Sequence, residues 1–119
     1  MALSKTSLSP IISIVSANTK VGIITNASGE KLFIKSFVLH NAGVSTATTR
    51  LYDVANSSGS VGSASTNNQF FSQNILGGET VFLEYSYPLT LTGTNDSIRI
   101  ESSTTGPVNV QIIGDKDPG

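Results

Sequence analysis

The run Lys31-Leu32-Phe33-Ile34-Lys35-Ser36-Phe37-Val38-Leu39-His40-Asn41 constrains the fold of this chain more than any other segment. It is apolar, aromatic and β-branched, lacks helical spacing, and stops at Asn41-Ala42-Gly43, where a strand turns. Its apolar residues fall on both faces, which predicts a central strand covered on each side. Further along, Gly77-Gly78-Glu79-Thr80-Val81-Phe82-Leu83 has the form of a tight turn opening a second strand.

The remaining segments read in the same way. No window holds the i, i+3, i+4, i+7 pattern, and short period-two runs alternate with turn residues. Strands are expected at 11–15, 18–25, 31–41, 46–54, 69–76, 80–85, 88–91, 97–101 and 108–113. Val81, Leu83 and Tyr85 share one face of their strand, opposite Phe82 and Glu84. Ile98 and Ile100 point inward and Arg99 and Glu101 outward. Pro88 has no N–H to donate and places its segment at a sheet edge. The fold class is therefore all-β: a single antiparallel β-sandwich of about eight to nine strands, jelly-roll or Ig-like, with short N- and C-terminal arms. Residues 1–9 form a polar N-terminal arm, 10–113 the sandwich, and 114–119 a polar tail. Residues 55–68 are rich in Ser, Gly and Asn, and a loop of this length is often functional or mobile.

With 119 residues the chain makes one domain, large enough for a core without covalent staples. There are no cysteines, which excludes disulfides and thiolate metal sites. Seven basic and eight acidic residues give a net charge of -1, without the basic stripe of a nucleic-acid binder. Charged residues make up only 13% of the chain, so neutral hydroxyls and amides supply the polar surface. These cost less to desolvate than ions, which suits a surface that docks on a partner. Neither a secretory h-region nor an apolar run long enough to span a bilayer is present, so no membrane partner is expected.

Chemistry-bearing groups are sparse. His40 is the only histidine and sits at the end of the central strand, where a hydrogen bond that caps the turn accounts for it. Asp96 lies in a turn whose own N–H groups its carboxylate can accept. No serine stands in Gly-x-Ser-x-Gly, and Gly77-Gly78 precedes a strand rather than a phosphate-binding helix. No catalytic, cofactor or metal site is assigned, and the chain is expected not to be an enzyme. Tyr87, beside Pro88, is the one tyrosine placed for stacking on a sugar.

The succession Val38-Leu39-His40-Asn41-Ala42-Gly43, Thr46 to Tyr52, Gly77-Gly78-Glu79-Thr80, Pro88-Leu89-Thr90-Leu91 and Asp96-Ser97-Ile98 resembles small structural proteins of tailed-bacteriophage virions. The likeness spans residues 19–113. Gly93 and Asp96 are separated by Thr94-Asn95, a wider spacing than in that pattern. The resemblance implies a non-enzymatic protein of the virion, made in the host cytoplasm: a decoration, or cement, protein that binds the outer surface of the phage head. A small tail, collar or baseplate component is the alternative, with a glycan- or host-surface-binding module behind it. The implied partners are the major capsid protein or other virion proteins and further copies of this chain, a trimer first. Leu3, Leu8 and Pro10 in the arm and Val61 in the long loop are the expected assembly contacts, being apolar side chains in segments without a core of their own.

Overall fold

A computed structural model describes residues 4–7, 11–57 and 59–117, with side chains from residue 11 onward except those of Ser60 and Val61. The strands are β1 (Ser4–Ser7), β2 (Ile12–Ile14), β3 (Val21–Thr25), β4 (Lys31–Asn41), β5 (Ala47–Val54), β6 (Asn56–Ser57), β7 (Ser60–Val61), β8 (Gln69–Ile75), β9 (Thr80–Leu91), β10 (Ser97–Ser102) and β11 (Val108–Asp117). A 3-10 turn, Thr66–Asn68, precedes β8.

The first sheet runs β1-β11-β4-β9, with β2 continuing the β1 edge along β11, and the second runs β3-β10-β5-β8. β2 pairs with β11, β3 with β10, β4 with β9 and β5 with β8, all antiparallel. The chain is thus one long hairpin, bent at the β6–β7 segment and rolled so that its paired strands fall in two facing sheets. This is jelly-roll connectivity, which excludes the Ig-like order.

Between the sheets lies a core of Ile34, Phe37, Leu39, Leu51, Ile75, Leu91, Ile98, Ile100, Val108, Val110 and Ile112. Each such side chain, fully removed from water, contributes about 1.5–3 kcal/mol. Phe37 joins the layers: its ring centroid lies 6.1 Å from Phe70 on β8 and 6.3 Å from Tyr85 on β9, the latter edge-on.

The strand β4 is central, between β11 and β9, but it is not covered on both faces. Leu32 and Ile34 point into the core, and so do Phe37, Leu39 and Asn41. The change of phase occurs at Lys35, which has no register partner on either neighbour. A one-residue bulge there swaps the two faces of the strand, so apolar residues on alternating parities serve a single core. The far wall of the bulge is Gly114, where a Cβ would run into the Phe33 carbonyl oxygen. On β9 the opposing irregularity is wider: Glu84 pairs with Ser36 and Leu89 with Ile34, leaving residues 85–88 as a step without β4 partners in which Tyr85 packs on Phe37 and Tyr87 faces outward. The separate strand expected at 88–91 is therefore the second half of β9, an edge strand as Pro88 implies.

Residues 4–7 and 114–117, expected from their composition in arms, are built into the first sheet. Ser4–Ser7 pairs with β11 from Lys116 to Ile113, and the expected tail continues β11 through Asp117. Ion pairs make a charged strand end acceptable: Lys35 to Asp115 at 2.9 Å and Lys116 to Glu30 at 2.8 Å. The expected strand at 18–25 begins only at Val21, since Asn18 adopts a left-handed φ of 53° that breaks extension.

Candidate functional site

The chemistry expected at one end of β4 divides between two residues. His40 faces outward and its Nδ1 lies 2.8 Å from Thr80 Oγ1 on β9, a cross-strand contact rather than a turn cap. The cap is Asn41. Its Nδ2 donates to the carbonyls of Ser45 and Ile75, both at 2.8 Å, and its Oδ1 accepts the Gly43 N–H at 2.9 Å. Asp96 behaves as expected, accepting the N–H of Gly93 at 2.8 Å and of Asn56 at 2.9 Å. Burial, and after it the neighbouring Asp96, raises the pKa of Asp53. Among the described residues no three metal-ligating side chains converge.

Of the expected contact residues, Leu3, Leu8 and Pro10 lie outside the described residues. Val61 contributes backbone to β7, pairing with Asn56, and its side chain is likewise outside the description. The long segment is not a free tether. Asn95 Nδ2 donates to Gly59 O at 2.8 Å, Asn68 bonds back to Ser63 and Ser65, and Asp96 holds Asn56. It folds over the outer face of the second sheet, where Gly62 lies close against Val54 and seals it from water.

Beside that fold-over lies a polar depression of about 510 Å³, lined by Lys20, Arg50, Tyr52, Thr66, Gln69, Ser72 and Glu101. Its floor is buried, with Tyr52 3% and Glu101 8% exposed. The Tyr52 hydroxyl donates to Glu101 Oε1 at 2.7 Å. Arg50 Nη1 stands 3.6 Å from the same oxygen, and Lys20 Nζ stands 3.7 Å from Oε2. Lys20 Nζ also lies 5.7 Å from the centroid of the Tyr52 ring, within cation–π range. The Tyr52 hydrogen bond, outweighing the opposing effect of burial and helped by Lys20 and Arg50, holds the Glu101 carboxyl below its usual pKa. Burial, then the bond to Glu101, pushes the Tyr52 phenol up. The sequence signal for this site was limited to the outward alternation of Arg99 and Glu101; strand order brings the other residues to it.

The outer face of the first sheet has the opposite character. Val38 on β4 is in register with Phe82 on β9 and with Gln111 on β11. Phe82 is 66% exposed, and Ile11, at the β2 edge, is 65% exposed. Ile11, Val38, His40, Asn109, Val110 and Gln111 line a shallow, mainly apolar depression of about 200 Å³. The flanking outward residues Thr80 and Ser13 are uncharged, and Glu84 stands two residues from Phe82 along β9. Tyr87, facing outward from the step in β9, is 89% exposed and stands apart from the polar depression. Compared with known proteins, the chain matches no family model, and no curated protein is significantly similar to it.

Proposed function

We propose that this protein is a non-enzymatic structural component of a phage virion, a decoration protein that docks on the outer surface of the head. The observation that carries the reading is the set of apolar side chains on the outer face of the first sheet: Phe82 in register with Val38, and Ile11 at the β2 edge, with Gln111 of β11 between Val38 and that edge. A partly apolar sheet face of this kind, supported by a closed jelly roll, suits association with a protein lattice. The jelly-roll order supports the same reading, because it is an architecture that capsid proteins also use. The fold alone does not select this role among the many that it serves.

The mechanism is multivalent association. Each copy makes a modest contact, and a homo-trimer on a symmetric lattice multiplies it. Leu3, Leu8, Pro10 and Val61 are the proposed additional contacts, towards the major capsid protein or a neighbouring copy. Tail, collar or baseplate placement is the alternative, and copy number decides between them. Hundreds of copies per purified particle support head decoration, whereas a few dozen or fewer would place the protein elsewhere in the virion.

The decisive variant is Phe82→Ser, which removes an exposed side chain and leaves the core intact. It is expected to fold with unchanged stability and to be lost from purified particles. A protein absent from particles altogether, or a Phe82→Ser variant incorporated as well as the parent, would overturn the docking reading.

A further inference from the structure

We propose that the depression on the outer face of the second sheet is a binding site for an acidic saccharide, one that carries a carboxylate among its hydroxyls. The inference does not rest on the virion reading, since this face is turned away from Phe82 on the other side of the sandwich. Its size lies within the roughly 300–1,000 Å³ typical of small-molecule sites.

Charge gives the sign of the ligand. Arg50 and Lys20 border the depression, and Arg99 lies outside its lining on the same outward face of β10 as Glu101. Glu101 is the one carboxylate among them, so this face is net positive on a chain whose total is -1. Moreover, Arg99 Nε is buried without a hydrogen-bond partner among the described residues.

The donors are positioned but not used up. At 3.6 and 3.7 Å, Arg50 and Lys20 stand at ion-pair separation from Glu101, beyond the roughly 2.7–3.2 Å of a hydrogen bond. Glu101 is itself fixed by Tyr52, so the anchor is rigid while both cations remain accessible. A ligand carboxylate can accept from Arg50 in the paired geometry that guanidinium favours, with Lys20 as a second charge.

The rest of the lining selects a sugar over a bare anion. Thr66, Gln69 and Ser72 offer neutral hydroxyl and amide groups, which can both donate to and accept from sugar hydroxyls. Glu101 beneath the cations disfavours a dianion such as phosphate or sulfate more than a single carboxylate. A nucleic acid is disfavoured too, because Lys20 lies over the Tyr52 ring and no exposed aromatic on this lining can stack on a base.

The test is titration of the isotope-labelled full chain, followed by amide chemical shifts, with four probes: 3′-sialyllactose, a hyaluronan tetrasaccharide, lactose and sodium sulfate. The expected result is that at least one acidic sugar shifts the amides around Lys20, Arg50, Gln69, Ser72 and Glu101 with millimolar or tighter affinity, while lactose and sulfate do not. Which of the two binds identifies a sialic or a uronic acid as the preferred source of the carboxylate. Arg50→Ala should weaken that binding about tenfold or more, and Phe82→Ser should leave it unchanged. Absence of shifts with both acidic sugars, equal binding of lactose, equal binding of sulfate, or full binding by a folded Arg50→Ala variant would each overturn the proposal. None of these outcomes bears on incorporation into particles, so the two readings fail separately.

Discussion

The Tyr52 hydroxyl donates a 2.7 Å hydrogen bond to Glu101 Oε1, diagonally across the β5–β10 pair, with both residues largely buried. Arg50 is the register partner of Glu101, and its Nη1 stands 3.6 Å from the same oxygen, an ion pair beside the hydrogen bond from the phenol. Hydrogen bonds to a buried charge are the costly ones to remove, at about 1.5–3 kcal/mol. Tyr52→Phe should therefore fold but lose about 2 kcal/mol, read as a lower urea midpoint with an unchanged slope. Unaltered stability would mean that the two cations alone satisfy Glu101.

The same pair sets a pH window. The Glu101 pKa is depressed in the folded chain, so its contribution is present above the unfolded value of about 4.3 and is lost as pH falls through the lower folded value. The Tyr52 pKa is raised, so its contribution is present below about pH 10 and is lost as pH rises through the higher folded value. The part of the unfolding free energy due to this pair should hold between these limits and decline outside both. In Glu101→Gln the part of the acid-side decline due to this residue should vanish, and a profile identical to the parent would refute the assignment.

Asn41 and His40 are neighbours whose substitution should differ sharply. Asn41 is fully buried and closes three hydrogen bonds to the turn that follows β4. Asn41→Ala leaves the Ser45 and Ile75 carbonyls and the Gly43 N–H without their partner, at a cost of about 3 kcal/mol. His40→Ala removes one outward contact with Thr80 and should stay within about 0.5 kcal/mol. Thermal melts of the two variants decide this, and a larger loss for His40→Ala would reverse the assignment.

The contrast shows which parts of the fold were legible in the sequence. Period-two alternation located most strands and correctly set Arg99 and Glu101 outward, because alternation is a local property of the backbone. Strand order is not local: the depression draws Lys20, Arg50, Gln69 and Glu101 from four separate segments, and only the rolled hairpin brings them together. The β4 run misled for a related reason. A bulge at Lys35 exchanges the faces midway, so a strand with one covered face carries apolar residues of both parities. Composition also misplaced residues 114–117, since Asp115 and Lys116 look like a solvated tail until Lys35 and Glu30 are set beside them.

The bulge itself makes the most exacting prediction about the fold. At Gly114 a Cβ would collide with the Phe33 carbonyl oxygen and crowd Ile34 Cα, both backbone atoms that cannot rotate away. Gly114→Ala must then open the β4–β11 pairing at the point where Lys35 steps out of register, costing about 3 kcal/mol. Gly22, an exposed strand glycine, has nothing near its Cβ position and no left-handed φ. Gly22→Ala should accordingly be neutral or stabilising by about 0.4–1 kcal/mol, since it mainly restricts the unfolded chain. Chemical denaturation of both variants measures the difference. Equal stabilities would mean that β11 can shift past the bulge without cost, and the phase change in β4 would then not be held by Gly114.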